Sequence, residues 1–198
     1  MISGAAYATI AGSLHDLSST NTDPAAGLTL KNICLYCHAP HNAVPGAAPL
    51  WNRVDSTETF IMYTSANSVT LDMDVAGAPD PFSAACLSCH DGITALDSMV
   101  NTPYGYVTAA TGNVVTWGSV GLDLRDDHPI SIAYDTSKDP EFNAIVDNAV
   151  GGLPLFAGTG SDQVECATCH DVHDQNTYFP FLRATNDSSA LCLTCHIK

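Results

Sequence analysis

Cys34-Leu35-Tyr36-Cys37-His38-Ala39-Pro40-His41 is the stretch whose reading decides the fold. Its first five residues have the spacing CxxCH. Two thiols at that spacing add across the vinyl groups of a c-type haem, and the adjacent imidazole binds its iron. The pattern returns at Cys86, Cys89 and His90, at Cys166, Cys169 and His170, and at Cys192, Cys195 and His196. All eight cysteines of the chain are used. Random placement would supply only about 0.01 such motifs, so four are not an accident. Zinc sites made from paired CxxC do not need a His after every second Cys. Redox CxxC motifs occur singly in thioredoxin-like folds. The expected cofactors are therefore four haem c groups.

Four rigid apolar plates in a chain of 198 residues reduce the need for regular secondary structure. The expected fold is mostly irregular coil with short helices and few short strands, organised around four c-type haems. It forms a single domain over 1–198, with haem-pair lobes at about 1–125 and 126–198. Thr29 is placed to cap a short helix carrying the first motif, and Ser83 one carrying the second, which Gly92 ends. Val69, Leu71, Met73 and Val75 alternate with polar residues, as do Ile130, Ile132 and Tyr134, which predicts strands. Residues 104–117 pattern as a hairpin about Thr111-Gly112-Asn113. Asp139, Pro140 and the stripe Phe142, Ile145, Val146 and Ala149 predict a helix over 140–150, stopped by Gly151-Gly152.

The histidines complete a count. Four irons have eight axial positions, and the chain has eight His. His38, His90, His170 and His196 are the proximal ligands. His15, His41, His128 and His173 remain as distal ligands, so every iron is expected to be bis-His and six-coordinate. Met62, Met73 and Met99 are weaker alternatives, since Met ligation would leave an imidazole unused. His41 and His173 each follow a motif His by three residues, too close to bind the opposite face of the same haem. This assigns His41 to haem 2 and His173 to haem 4, leaving His128 for haem 1. His15, on a terminal arm, is then expected to reach haem 3 of an adjacent subunit. A repeated heterologous contact of that kind builds an open filament. Saturated irons exclude substrate ligation, so the chain is not expected to be an enzyme.

Composition narrows the partners. Charged residues make up 14% of the chain against about 25% in a typical soluble domain, which suits a surface covered by other subunits, by glycan, or a compact Thr/Ser-rich secreted protein. The formal net charge is −15, against nucleic acid and anionic membrane as partners. No apolar run approaches the roughly 20 residues of a membrane span. Haem is attached outside the cytoplasm, and Met1 to Ala11 lacks the basic start of a signal peptide, so the chain is expected to be exported with its signal removed. Arg53 and Arg183 are candidate partners for haem propionates, because guanidinium forks onto carboxylate. Asp72, Asp74 and Asp80 are a candidate Ca²⁺ site, with an acidic strand face as the plainer reading. Asn186-Asp187-Ser188 matches the N-glycosylation pattern.

Several segments between the haem motifs are also distinctive. These are Gly12-Ser13-Leu14-His15-Asp16-Leu17-Ser18, Cys37-His38-Ala39-Pro40-His41-Asn42 and Ala48-Pro49-Leu50-Trp51-Asn52-Arg53. Asp127-His128-Pro129-Ile130, Phe181-Leu182-Arg183 and Leu191-Cys192-Leu193-Thr194-Cys195-His196 continue the series. In this order they resemble the tetrahaem extracellular cytochromes of the OmcE-type nanowire family. The resemblance implies a mostly loop fold and identical subunits in a filament with an unbroken bis-His haem chain, one ligand crossing between subunits. It also implies a cell-surface role in passing electrons to minerals, electrodes or other cells. A soluble periplasmic tetrahaem shuttle is the alternative, and a multihaem reductase the third.

Overall fold

A computed structural model describes residues 10–18, 30–46, 48–103, 113–157, 162–174 and 178–197. Thr29 and most of the hairpin expected at 104–117 lie outside them. Among the described residues most of the backbone is coil and turn, with short helices and strands, as the sequence predicts. The longest element is α1, Pro81–His90. Asp80 is its N-cap, with Pro81 at the first helical position, where the missing N–H is no loss. The expected cap, Ser83, instead sits inside the first turn, fully buried. Gly92, at φ +76°, follows the end of the helix. The third motif lies on α2, Cys166–Cys169, and the fourth on α3, Ala190–Cys195. The first motif is a run of turns rather than a helix.

The strands are β1 (Ile132–Ala133), β2 (Ala149–Val150), β3 (Leu153–Pro154), β4 (Phe156–Ala157) and β5 (Asp162–Val164). β5 is central in an antiparallel sheet ordered β1-β5-β4, with Ile132 opposite Val164 and Phe156 opposite Gln163. The strand expected at 69–75 forms only at its end. Val75 bridges Ile132, and the Asp74 carbonyl accepts from the Ala133 N–H at 2.8 Å. Val69 is 96% exposed, while Met73 is buried beside Ile132, Tyr134, Val150, Leu155 and Val164.

No helix forms over 140–150. Two tight turns replace it. Asp147 and Asn148 have φ of 52° and 55°, and Val146 pairs with Ala149 across them. Gly151 and Gly152 then turn β2 into β3, at φ of 57° and 91°. Consecutive positive φ values make type I′ turns, which Asp, Asn and Gly favour. These four turn formers outweigh the helical stripe, whose Phe142 and Ile145 pack on the buried cluster while Val146 is exposed. A Cβ on Gly151 would lie 2.5 Å from the Thr194 methyl. Gly151→Ala is therefore expected to lower stability by about 2 kcal/mol, read as a lower denaturant midpoint.

Candidate haem-binding sites

A CxxCH motif needs residues 1, 4 and 5 on one side of the backbone, and one helical turn provides that. His38 N–H donates to the Cys34 carbonyl at 2.8 Å, His170 N–H to Cys166 at 3.0 Å, and His196 N–H to Cys192 at 2.9 Å. His90 closes the same turn at the end of α1. The first motif thus has the local geometry of the others without a continuing helix.

Each motif is pinned by a segment from elsewhere in the chain. The Ala39 N–H donates to Leu50 and the Asn52 N–H donates to Cys37, at 2.8 and 2.9 Å. Asp171 N–H likewise donates to Phe181 and Arg183 N–H to Cys169, at 2.7 and 2.9 Å. Leu50 and Phe181, at corresponding places, both have positive φ, 54° and 59°. Val120 N–H donates to His90, and Asn143 N–H to Cys195. The clasps also orient imidazoles. His38 Nδ1 lies 2.6 Å from the Pro49 carbonyl, His90 Nδ1 2.7 Å from Gly118, and His170 Nδ1 3.0 Å from Pro180. A carbonyl accepts only, so Nδ1 carries the proton and Nε2 is left as the metal-binding lone pair. His128 Nδ1 has the same kind of contact, 2.9 Å from the Pro129 carbonyl.

The first and third motifs, with their clasps, form an internal repeat. Each has His-x-x-His, as His38/His41 and His170/His173, followed by a Pro whose carbonyl meets the first ring. The signal was present in the sequence as two matched His pairs. The Pro49-Leu50 and Pro180-Phe181 clasps that complete the repeat became recognisable only with the backbone contacts.

Three pairs of imidazoles lie side by side. Ring centroids are 5.9 Å apart for His15 and His90, 6.2 Å for His38 and His173, and 6.5 Å for His128 and His196. An imidazole nitrogen stands about 2.0–2.1 Å from a bound first-row metal. Two rings on one iron therefore have centroids roughly 6 Å apart, so all three pairs fit. Burial, followed by the neighbouring His90, His170 and His173, pushes His15 down to about 4. It is thus held neutral, as a ligand must be. Its Nδ1 is buried without a hydrogen-bond partner.

This placement differs from the pairing expected from spacing. His15 stands against His90 of its own chain, not on an arm reaching outward. His173 meets the first motif rather than the fourth, and His128 meets the fourth rather than the first. The spacing rule kept His41 and His173 apart from their nearest motif His, but elimination could not choose among the other motifs. His41 and His170 face no other imidazole among the described residues. Both are exposed.

The thiols follow chain order. Burial, then the neighbouring Cys89, pushes Cys37 up to about 12. The Cys86 thiol hydrogen-bonds to Cys166, which raises the first and lowers the second. Burial, then Cys195, pushes Cys169 up to about 11. Motif one thus adjoins two, two adjoins three, and three adjoins four, and α1 packs on α2. None of the eight cysteines is in a disulfide.

Residues 160–198 match a protein-family description, the doubled CXXCH motif. The chain is a multihaem c-type cytochrome. No curated protein matches it. When bound, haem iron supplies one-electron chemistry between its ferric and ferrous states.

Two candidate sites of the cytochrome are corrected by the structure. Arg53 is fully buried and donates to protein carbonyls rather than propionates. Its Nη1 meets Leu96 O at 2.6 Å, its Nη2 meets Ser88 O and Ala95 O at 2.8 Å, and its Nε meets Ser88 Oγ at 3.1 Å. It ties the end of α1 to the following loop, between the cysteines of motifs one and two. Arg183 is partly exposed, with Nε on the Ala167 carbonyl and Nη1 3.0 Å from Asp171. Nor do Asp72, Asp74 and Asp80 gather into a Ca²⁺ site. Asp74 pairs with Lys138 at 2.6 Å, Asp80 is buried at the start of α1, and no group of three or more His, Cys, Asp or Glu that could hold a metal ion occurs among the described residues. Met62, Met73 and Met99 are buried in apolar clusters. No described helix is long and apolar enough to cross a membrane.

Proposed function

We propose that this cytochrome is the subunit of an extracellular filament that conducts electrons along a continuous row of four bis-His haems per subunit. The observation that carries the reading is the imbalance among the eight His. Among the described residues, three motif His have a partner imidazole within the chain; His170 has none, and His41 is left over. The internal repeat supports a way of using the two. In the first repeat, His38 receives His173, the second His of the following repeat. Applied once more, the rule gives His170 the second His of the next repeat, which is His41 of the next subunit. The contact is heterologous and leaves a free His41 at one end and a free His170 at the other, so it propagates.

The low charge supports extensive coverage by identical subunits. The acidity fits extracellular acceptors such as minerals, electrodes or other cells better than an anionic partner. A His170 without a second ring also suits an iron that binds substrate, as in a multihaem reductase. Negative-stain microscopy of the native protein separates the readings. Long uniform filaments are expected, with four covalent haems per chain by mass spectrometry. A small monodisperse particle with four six-coordinate irons points to a periplasmic shuttle. The same particle with one iron that binds added substrate points to a reductase.

A further inference from the structure

Glu165 is 1% exposed, and no iron-binding role uses it. It immediately precedes Cys166 and is the N-cap of α2. Its Oε2 accepts from the hydroxyls of Ser83, by a very short contact, and Ser131, at 3.0 Å. Ser83 Oγ also accepts from the Cys166 N–H at 3.1 Å, and Ser131 Oγ from the Asp80 N–H at 2.8 Å. The carboxyl therefore joins α1, the lead into β1 and the third haem motif. Its other oxygen, Oε1, is buried without a partner. Asp80 faces it from the start of α1, and the Cys86 and Cys166 thiols flank it. No Lys, Arg or His forms an ion pair with it among the described residues.

We infer that Glu165 is a redox-linked proton acceptor that couples electron arrival at the second and third motifs to uptake of a proton. The inference rests on haem attachment at those motifs and not on filament assembly. Cys86 and Cys166 form carbon–sulfur bonds to the porphyrin and are not iron ligands, so they cease to titrate once haem is attached. Burial pushes the Glu165 carboxyl up, the Ser83 and Ser131 hydroxyls pull it partly back, and the Asp80 charge raises it again. Each electron reaching its neighbourhood adds one negative charge and raises it further. One electron comes from a reduced one-electron donor and one proton from solvent, forming the O–H bond on Glu165. On reoxidation both leave. The potential then falls with rising pH only between the oxidised-state and reduced-state pKa values of this carboxyl, and is flat outside that window.

Spectroelectrochemical titration of the haem-loaded protein across pH tests this, with Glu165→Gln beside the wild type. The wild type is expected to have a transition that falls by up to about 59 mV per pH unit, a tenfold change in proton activity per unit converted for one electron. E165Q, neutral at every pH, is expected to hold the wild-type low-pH potential throughout. An E165Q protein that is folded and fully loaded, yet keeps that transition's pH dependence, overturns the inference. If E165Q does not fold, infrared difference spectra of the wild type decide. A protonated carboxyl band appearing on reduction supports the inference, and its absence across the pH range overturns it. Mass spectrometry beforehand separates a failure of haem attachment from a failure of proton coupling.

Discussion

A His41→Ala protein is expected to form no filaments and to carry one five-coordinate, high-spin iron per chain. The change removes the ligand proposed to cross each joint. Association should weaken by at least roughly a thousandfold, about 4 kcal/mol per contact, because an iron–imidazole bond is lost there with no substitute. His41 is exposed and lies outside the buried clusters, so folding of the subunit should be unaffected. His173→Ala is the matching control. His173 faces His38 of its own chain, so its loss should also yield one high-spin iron while filaments persist. Electron microscopy with visible spectroscopy of both variants separates a ligand that works between chains from one that works within a chain.

Arg53→Met should be the most destabilising single change outside the haem motifs. Met approximates the length of the stem and supplies none of the donors. The carbonyls of Ser88, Ala95 and Leu96 would then be left without the cation they share. Unsatisfied buried acceptors cost about 1–3 kcal/mol each, which places the loss at about 3 kcal/mol or more. Chemical denaturation of the haem-loaded protein measures it. Arg53→Lys recovers little, because an ammonium cannot span the fork that reaches α1 on one side and residues 95–96 on the other.

The doubled CxxCH matched at residues 160–198 was legible in the sequence because CxxCH is a local pattern, complete within one helical turn. The pattern does not by itself carry a helix onward, since helices form at the second, third and fourth motifs and a run of turns at the first. Distal ligands are a different matter. Nothing near His15 in the sequence indicates that it meets His90, because the pairing depends on how the arm at residues 10–18 folds back. Counting singled out the eight His as candidates, whereas which imidazoles lie together required the path of the backbone. Arg53 misled for a related reason. A guanidinium in a haem-binding chain suggests a propionate partner, yet the carbonyls of Ser88, in the last turn of α1, and of Ala95 and Leu96, in the loop after it, receive it. The failed helix at 140–150 is a conflict between two local signals. Apolar spacing favoured helix, while Asp147-Asn148 and Gly151-Gly152 favoured turns, and four residues at positive φ settled it. Glu165 had no sequence signal beyond its place before Cys166, since the hydroxyls that bind it come from 34 and 82 residues away.

Low-temperature electron paramagnetic resonance of subunits before and after assembly is the most direct test of ligand sharing. Dissociated subunits should have three low-spin irons and one high-spin iron, and assembly should convert the fourth to low spin without added ligand. Four low-spin irons in a dissociated subunit would contradict ligation of His170's iron by His41 of a neighbour.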